Sequence, residues 1–381
     1  MDAQEFIKEL DATFFTGVPD SQLKPLCEYF MNTYGISNEH MIAANEGSAV
    51  ALAAGYHLAT KKIPLVYMQN SGIGNIVNPV VSLLNEKVYG IPCIFVVGWR
   101  GEPGVHDEPQ HIFQGEITIS LLENIGIHTC VIDADTTIDE FKNIYRELKK
   151  FLDKNQSIAF IIRKGALSYS KHILYKNTYF MNREDIIKDI VNTADDDIIV
   201  STTGKASREL FEIREQKGQS HQTDFLTVGS MGHSSSIALE IALQKNEKKV
   251  WCVDGDGAAL MHMGAMAVIG KNKPQNLIHI LINNEAHETV GGMPTAADSI
   301  NFTAIAKACG YSKTVCVDNR QNLLEELSNA KQSNELYFIE VKCSIHSRAD
   351  LGRPTISALE NKINFMNFLN SEKSTAEKEM I

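Results

Sequence analysis

Short runs of hydrophobic and β-branched residues recur along the chain and alternate with longer segments of helical hydrophobic periodicity. Seven runs are predicted to be strands, over residues 63–68, 92–97, 158–162, 198–201, 249–253, 277–282 and 337–341. Strands that alternate with helices are typical of parallel sheets covered by helices. The pattern therefore predicts an α/β protein, whose ligands are expected beyond the carboxyl ends of the strands.

The alternation falls into two similar halves. GSAVALAAGYHLATKKIPLVYMQNSGIGN contains a small-residue helix, a Lys-Lys turn, a strand and a glycine-containing loop, and HSSSIALEIALQKNEKKVWCVDGDGAA has the same order. We predict two similar domains, each a mostly parallel sheet covered by helices. Their expected extents are 1–167 and 183–370, with a linker over 168–182 and a flexible tail over 371–381.

The amino-acid composition and net charge restrict the class of protein to which the chain can belong. Hydrophobic residues make up 44% of the chain and charged residues 22%, as in ordinary globular proteins. No apolar stretch approaches the length of about 20 residues that a membrane span needs, and MDAQEFIKEL lacks the features of a secretory signal. A cytoplasmic protein that does not bind membranes is expected. The net charge of −11 argues against a nucleic-acid partner, although a local basic cluster could still bind an anion.

The most informative short motif is Gly255-Asp256-Gly257, directly after the predicted strand 249–253. Together with Asp254 it imitates part of an EF-hand calcium loop, but the closing glutamate and the preceding helix are missing. It also lacks the third glycine of a dinucleotide-binding motif. Taken alone, the motif is compatible with a plain strand-to-helix turn.

Asn284 changes this interpretation. A predicted helix over 259–271 and one strand separate it from Asp256, so a single β-α-β step is expected to bring both residues to the carboxyl ends of parallel strands. Carboxylate and carboxamide oxygens are suitable ligands for Mg²⁺, which usually completes its octahedron with phosphate oxygens and water. The sequence therefore predicts a magnesium site here.

The residues around Asp256 also suit a phosphate. The amides of Gly257 and Ala258 are predicted to open a helix, where an anion binds well. Gly255 and Gly257 carry no side chain that would keep the backbone away from it. We interpret the whole as a metal-bridged diphosphate site.

GDG followed after this interval by NN resembles the cofactor-binding motif of thiamine diphosphate enzymes. The resemblance implies thiamine diphosphate and Mg²⁺ as cofactors, with Asp256, Asn284 and the carbonyl of Ala286 as metal ligands. It also implies the thiamine diphosphate-binding fold. The chain has room for the pyrimidine-binding and diphosphate-binding domains but for no middle domain.

Two further stretches resemble parts of that family. AANEGSAVALAAGYHLATKK is similar to its glutamate helix and implies that Glu46 contacts the aminopyrimidine; the alternative is a first-turn glutamate that complements the helix dipole. TVGSMGHSSS implies that Met231 supports the bent cofactor and that the Gly229 carbonyl accepts a hydrogen bond from it. A buried methionine in a glycine-rich turn is the alternative for Met231.

Four stretches, FTGVPDSQLKPL, MQNSGIGNIVNP, GWRGEPGVHDEPQHIFQG and NNEAHETVGGMPT, are similar to the short two-domain branch of the thiamine diphosphate-dependent decarboxylases. The resemblance implies decarboxylation of 3-phosphonopyruvate to 2-phosphonoacetaldehyde and CO₂, in phosphonate biosynthesis. Sulfopyruvate is the alternative substrate, and a non-catalytic subunit with the same fold is a further alternative.

A small anionic 2-oxo acid needs donors and proton-transfer groups around it. Asp20 and His111 are the catalytic candidates besides Glu46. The candidates for substrate binding are Asn70, Ser71, Arg100, His106 and His287. Arg100 has the best chemistry for a phosphonate, because its planar fork matches phosphate oxygens. Each of these could instead be a loop residue that makes local hydrogen bonds.

Glu46 and Asp256 belong to different predicted domains. In the thiamine diphosphate family these two parts of the site come from different subunits. The resemblance therefore implies a homodimer or a larger homo-oligomer with active sites between subunits.

Overall fold

The computed structural model describes residues 1–371, which form two compact units. The N-terminal unit ends at Leu174 and the C-terminal unit begins at Tyr175. This division falls inside the segment 168–182 that we expected to be a linker. Of the predicted tail over 371–381, all but Ser371 lies outside the described residues.

The N-terminal unit is built on a six-stranded parallel sheet with the order β2-β1-β3-β4-β6-β5. Its strands are β1 (Phe15–Gly17), β2 (His40–Ile42), β3 (Leu65–Gln69), β4 (Ile94–Gly98), β5 (His128–Ile132) and β6 (Ile158–Ile162). Its helices are α1 (Ala3–Lys8), α2 (Lys24–Thr33), α3 (Glu46–Thr60), α4 (Ile73–Pro79), α5 (Pro109–Asn124) and α6 (Ile138–Leu152).

The C-terminal unit has a second six-stranded parallel sheet and a small antiparallel pair, β11 with β12. Its strands are β7 (Ile198–Ser201), β8 (Asp224–Leu226), β9 (Val250–Gly255), β10 (Leu277–Asn283), β11 (Ala286–His287), β12 (Met293–Pro294), β13 (Lys313–Val317) and β14 (Tyr337–Lys342). Its helices are α7 (Arg183–Ala194), α8 (Lys205–Gln216), α9 (Ser234–Gln244), α10 (Asp256–Met261), α11 (Gly264–Asn272), α12 (Phe302–Cys309), α13 (Arg320–Gln332) and α14 (Ala358–Asn370).

The two parallel sheets have the same topology. The second sheet has the order β13-β14-β10-β9-β7-β8. When the strands of each sheet are counted from one to six along the chain and the second sheet is read from β8, both orders become 2-1-3-4-6-5. The predicted α/β class with two similar domains is therefore confirmed.

All seven predicted strands are present. The central strands β4 and β6 are buried along their whole length, because helices cover both faces of a parallel sheet, and this makes their sequences continuously hydrophobic. The two-residue strands β11 and β12 escaped prediction, and so did five short strands of the two parallel sheets: β1, β2, β5, β8 and β13. Four of these five lie at the edges of the sheets, where partial exposure weakens the hydrophobic signal.

The prediction of one helix over 259–271 was wrong in its bounds. The segment forms two helices, α10 and α11, which break at His262 and Met263, and α10 already begins at Asp256. None of the helices in the described part of the chain is both long and apolar enough to cross a bilayer.

Candidate active site

The β-α-β step predicted from Asp256 and Asn284 is present in the C-terminal unit. Strands β9 and β10 are parallel neighbours, with Ile282 opposite Gly255. Asp256 follows β9 and Asn284 follows β10, so both lie at the carboxyl edge of the same sheet. This is the edge where parallel α/β sheets bind ligands.

Asp256 is a buried carboxylate at the first residue of α10. Its Oδ2 accepts a hydrogen bond from the Thr295 hydroxyl at 2.7 Å. Burial raises the pKa of Asp256 to about 6, because the ionised carboxylate loses its hydration, and the Thr295 hydrogen bond opposes this shift. A bound cation would compensate the charge of this carboxylate.

The side chain of Asn284 is held in one orientation. Its Oδ1 accepts from the Ala286 amide at 3.1 Å, while its Nδ2 donates to Glu288 Oε2 at 3.1 Å. Glu288 in turn forms ion pairs with Arg183 and Lys205. These hydrogen bonds fix the orientation of the Asn284 carboxamide and therefore the position of its oxygen.

The backbone at Ala286 suits the third predicted ligand. Pro294 lies opposite Ala286 in the β11–β12 pair, and proline has no N–H to donate to the Ala286 carbonyl. With Asp256 and Asn284 this makes a donor set of oxygens only. Such a set fits a hard cation such as Mg²⁺.

Gly257 lies between two of the predicted ligand-binding side chains. A Cβ at Gly257 would come within 3.3 Å of Met231 Cε and 3.4 Å of His287 Cε1. Glycine at this position therefore lets both side chains approach the start of α10. At Gly255, by contrast, an added Cβ would meet no atom of residues 1–371 within 4 Å, so no neighbouring atom in that range explains the glycine.

The loop that carries Met231 has an unusual backbone. Gly229, Ser230 and Gly232 all have positive φ, of 68°, 44° and 89°. The Gly229 amide donates to the Thr203 hydroxyl at 2.9 Å, which ties the loop to the segment before α8. Its positive-φ positions explain the two glycines, since other residues rarely adopt this conformation.

The environment of His287 favours the neutral form of its imidazole ring near pH 7. Loss of hydration lowers its pKa to about 4. Among the substrate-binding candidates, His287 can therefore offer a hydrogen bond but not a positive charge.

The N-terminal unit gathers its candidates at the corresponding edge of its own sheet. Asp20 follows β1, Glu46 follows β2, Asn70 follows β3 and Arg100 follows β4. Because all six strands are parallel, these residues share the carboxyl edge of the sheet.

Glu46 is the buried first residue of α3. The Asn45 side chain caps this helix by accepting from the Ser48 amide at 2.8 Å. Asn75 Nδ2 donates to Glu46 Oε2 at 2.7 Å. A Cβ at Gly72 would lie 2.4 Å from Glu46 Oε1, so glycine there makes room for the carboxylate.

Asp20 is buried and anchors a chain of hydrogen bonds. Its Oδ2 accepts from the Leu23 amide at 3.2 Å, and its Oδ1 accepts from the Gln69 side chain. The Ser71 hydroxyl donates to Gln69 Oε1 at 2.7 Å. Burial raises the pKa of Asp20, and the hydrogen bond from Gln69 is the largest opposing effect.

Asn70 connects two loops of the N-terminal unit. Its Nδ2 donates to the Arg100 carbonyl at 2.7 Å and to the Thr118 hydroxyl at 2.8 Å, and its Oδ1 accepts from the Arg100 amide at 3.1 Å. The side chain is fully buried. These contacts explain Asn70 as a residue that positions Arg100.

The guanidinium group of Arg100 pairs with a carboxylate of the same chain. Its Nε donates to Asp107 Oδ2 at 2.7 Å, and its Nη2 contacts the other carboxylate oxygen. His111 lies near this pair, and burial lowers its pKa, with a further contribution from the positive charge of Arg100. His106, in the same loop, is exposed to solvent.

Besides Thr118 and Thr203, five residues that contact the candidates were not predicted from the sequence: Gln69, Asn75, Asp107, Glu288 and Thr295. Each contacts a predicted site residue through its side chain. All five lie within or beside the stretches that resemble the decarboxylases. The resemblance marked the segments, but only the fold shows which of their polar residues face the candidates.

Comparison with known proteins agrees with this arrangement. The family model described as the thiamine pyrophosphate enzyme N-terminal TPP binding domain matches residues 4–130. The model for the C-terminal TPP binding domain of the same enzymes matches residues 202–341. The two matches and the paired parallel sheets define a thiamine diphosphate enzyme.

Similar curated proteins indicate the branch of the thiamine diphosphate enzymes to which the chain belongs. The chain is 30% identical to a phosphonopyruvate decarboxylase from Streptomyces viridochromogenes, over 94% of this chain and 92% of the relative. It is 29% identical to a sulfopyruvate decarboxylase from Methanosarcina acetivorans, over 86% of this chain and 88% of the relative. A sulfopyruvate decarboxylase subunit beta from Methanococcus maripaludis is 32% identical over 49% of this chain and 97% of that subunit.

The chain therefore belongs to the thiamine diphosphate-dependent decarboxylases, in the branch that includes phosphonopyruvate and sulfopyruvate decarboxylases. It is an enzyme of the carboxy-lyase class.

Proposed function

We propose that the chain decarboxylates 3-phosphonopyruvate to 2-phosphonoacetaldehyde and CO₂, as a step in phosphonate biosynthesis. The similarity to a phosphonopyruvate decarboxylase along nearly the full length of both chains carries this proposal. Sulfopyruvate is the second candidate, because a sulfopyruvate decarboxylase is also similar over most of its length.

In this proposal the C-terminal unit holds the diphosphate end of thiamine diphosphate through Mg²⁺. Asp256, Asn284 and the Ala286 carbonyl are the proposed metal ligands, supported by their oxygen-only chemistry and by the raised pKa of the buried Asp256 carboxyl. The backbone of Gly255, Gly257 and Ala258 would contact the diphosphate. When bound, thiamine diphosphate supplies the electron sink that decarboxylation needs.

Met231 and Gly229 are proposed to contact the organic part of the cofactor. The close approach of Met231 to Gly257 supports this placement. The positive φ of Gly229 and the hydrogen bond from its amide to Thr203 hold its backbone in place.

The N-terminal unit is proposed to supply the proton-transfer groups. Glu46 is held by Asn75 and would exchange a proton with the aminopyrimidine ring of the cofactor. Asp20 and His111 are proposed to handle protons on the substrate side. The raised pKa of Asp20 keeps this acid closer to its protonated form, which suits a proton donor.

Arg100, His106, His287 and Ser71 remain the proposed residues in contact with the substrate, and Asn70 is proposed to support them. Arg100 brings the positive charge, and its pairing with Asp107 holds the fork in one orientation. Because the neutral form of His287 is favoured, the proposal assigns it a hydrogen bond to the substrate. Asn70 would act through Arg100, since its own polar atoms are engaged.

We further propose a homodimer or larger homo-oligomer. A relative that is named as a subunit supports an assembly of more than one chain, since its name implies a further subunit. Each cofactor would then be held by Glu46 from one chain and Asp256 from another.

The test is a comparison of substrates on the purified full-length chain with thiamine diphosphate and Mg²⁺. CO₂ release is measured with phosphonopyruvate, sulfopyruvate and pyruvate. The highest kcat/KM for phosphonopyruvate supports the proposal, whereas a higher value for sulfopyruvate favours the second candidate. Chelation of the metal before cofactor addition should prevent reconstitution. Turnover of none of the three substrates would contradict both candidates.

A further inference from the structure

A second group of metal-ligating side chains lies inside the C-terminal sheet, apart from the proposed magnesium ligands. Cys252 and Asp254 belong to β9, and His279 lies on β10 directly opposite Cys252. Since side chains alternate along a strand, Cys252 and Asp254 point to the same face of the sheet. All three residues are at most 1% exposed.

The ligand atoms of these residues converge. The sulfur, one carboxylate oxygen and one ring nitrogen all lie within 4.8 Å of one another. Asp254 Oδ2 and His279 Nε2 are 3.5 Å apart. Two such ligands on a tetrahedral zinc ion, each about 2.0–2.1 Å from the metal, would lie about 3.3 Å apart. The spacing of this pair is therefore close to that of two ligands in a filled site.

Two of the three ligand atoms have unmet hydrogen-bonding capacity. Asp254 Oδ2 and His279 Nε2 are buried and face each other at 3.5 Å, but neither has a hydrogen-bond partner among residues 1–371. A buried polar atom without a partner costs free energy, so native structures rarely leave one unsatisfied. The cluster thus points to a group that binds between these atoms.

A hydrogen bond at the second ring nitrogen, Nδ1, orients the His279 ring. The Tyr311 hydroxyl and His279 Nδ1 are 3.0 Å apart and share a hydrogen bond. If Nδ1 carries the proton, it donates to Tyr311, and Nε2 presents a lone pair towards Asp254. Metal-ligating histidines are typically held in this way by a hydrogen bond at the second ring nitrogen.

We propose that Cys252, Asp254 and His279 bind one transition metal ion of the Zn²⁺ class. A thiolate and an imidazole select such an ion over Mg²⁺, which prefers an all-oxygen set. The site is therefore chemically distinct from the proposed magnesium site at Asp256 and Asn284. It does not depend on the substrate of the enzyme.

The position of the metal gives it a structural role. It would join β9 to β10, the two strands whose ends carry Asp256 and Asn284. Such a link between neighbouring strands would stabilise the folded unit, because metal binding favours the folded state.

The experiment uses the full-length chain, first stripped of metal and then loaded with Co²⁺ in the presence of excess Mg²⁺ and thiamine diphosphate. Thiolate ligation produces an intense thiolate-to-cobalt charge-transfer band in the near ultraviolet. The expected result is this band with one Co²⁺ per chain, displaced by one equivalent of Zn²⁺, and a higher thermal unfolding midpoint with metal. The magnesium ligands contain no sulfur and cannot give this signal.

Cys252→Ser and His279→Gln should each lose the band, whereas Cys316→Ser should keep it. Cys316 lies on β13, is exposed and is not part of the cluster. Absence of the charge-transfer band in the wild-type chain would overturn the proposal without any variant having to fold. So would a band that persists in Cys252→Ser, because its sulfur would then come from another cysteine.

Discussion

At the residue scale, two buried carboxylates that both begin helices have different surroundings. Glu46 accepts a hydrogen bond from the Asn75 carboxamide, and its neighbour Gly72 leaves it room. Asp256 accepts from the Thr295 hydroxyl, and burial raises its pKa to about 6. The first environment suits proton exchange with a ligand, and the second suits compensation by a bound cation.

Glu46→Gln should lower kcat by about 100-fold or more, because the amide cannot exchange the proton of a carboxyl group. Binding of thiamine diphosphate should change little, since glutamine keeps the shape of the side chain. Steady-state CO₂ release and cofactor titration by fluorescence quenching measure the two effects. The matched control is Glu39→Gln, which changes an exposed acid of the same unit. Full turnover in Glu46→Gln would refute the assigned role.

The affinity of the apoenzyme for Mg²⁺ with thiamine diphosphate should fall as the pH decreases through about 6, the pKa of Asp256. The direction follows from the raised pKa: below it the carboxyl is protonated, and a neutral carboxyl is a poor metal ligand. Isothermal titration calorimetry between pH 5 and pH 8 in roughly unit steps covers this pKa. An affinity that stays constant over this range would contradict the assignment of Asp256 as a ligand.

Glu288 is predicted to act as a positioning residue for Asn284. In Glu288→Ala the Asn284 carboxamide loses the acceptor of its Nδ2 and keeps only the hydrogen bond from the Ala286 amide to its Oδ1, so its orientation is less well fixed. We expect Mg²⁺ affinity to weaken about 10–100-fold, the usual cost of removing an outer contact of a metal ligand. Raising the Mg²⁺ concentration should restore kcat, which separates a loss of metal affinity from a loss of catalytic chemistry.

The control is Glu326→Ala on α13, which is remote in sequence from Asp256 and Asn284. An unchanged Mg²⁺ affinity in Glu288→Ala would show that Asn284 needs no such support.

At the scale of elements, the start of α4 packs on the start of α3 through a glycine. An added Cβ at Gly72 would meet the Glu46 side chain, with its Cγ at 2.5 Å and Oε1 at 2.4 Å. Gly74 lies two residues further along, and a Cβ there would meet no atom of the described part of the chain within 4 Å. The two positions offer a matched pair of substitutions.

Gly72→Ala should displace the Glu46 carboxylate and lower kcat on the order of 10-fold to 100-fold, as expected for a misplaced catalytic group. Gly74→Ala should leave kcat unchanged and should not lower the thermal midpoint, because alanine is favoured over glycine within a helix. Kinetics and thermal unfolding of both variants provide the measurement. Equal kcat values in the two variants would show that the packing at Gly72 does not control Glu46.

At the scale of the whole molecule, one topology occurs twice, and each copy presents polar residues at the carboxyl edge of its sheet. The N-terminal copy carries the proposed proton-transfer groups and the C-terminal copy carries the proposed metal ligands. Neither set alone contains all the groups that the proposed reaction needs.

Mixing two inactive variants tests whether chains share their sites. Glu46→Gln and Asp256→Asn are each expected to be inactive. After mixed refolding of equal amounts, a homodimer with shared sites should regain about one quarter of wild-type activity, because half the dimers are mixed and each holds one intact site. Refolding of each variant alone is the control. No recovery, with mixed dimers present by native mass spectrometry, would contradict shared sites.

The sequence by itself determined the α/β class, the two similar halves and the central strands, because strands covered on both faces are continuously hydrophobic. It also determined that two residues of the candidate site lie at the same sheet edge. Asp256 and Asn284 are one β-α-β step apart, and in a parallel sheet such a step brings residues to the same edge. The short edge strands, such as β5 and β13, carry too weak a hydrophobic pattern to be predicted.

Only the tertiary structure decided which polar side chains meet. Gln69 contacts Asp20 and Asp107 contacts Arg100 through loops whose conformations no local pattern specifies. Cys252, Asp254 and His279 illustrate the same limit, since their ligand atoms converge only through the register of β9 against β10. Spacing along the chain predicts contacts within one step of regular structure. Contacts between side chains from separate strands and loops depend on register and packing.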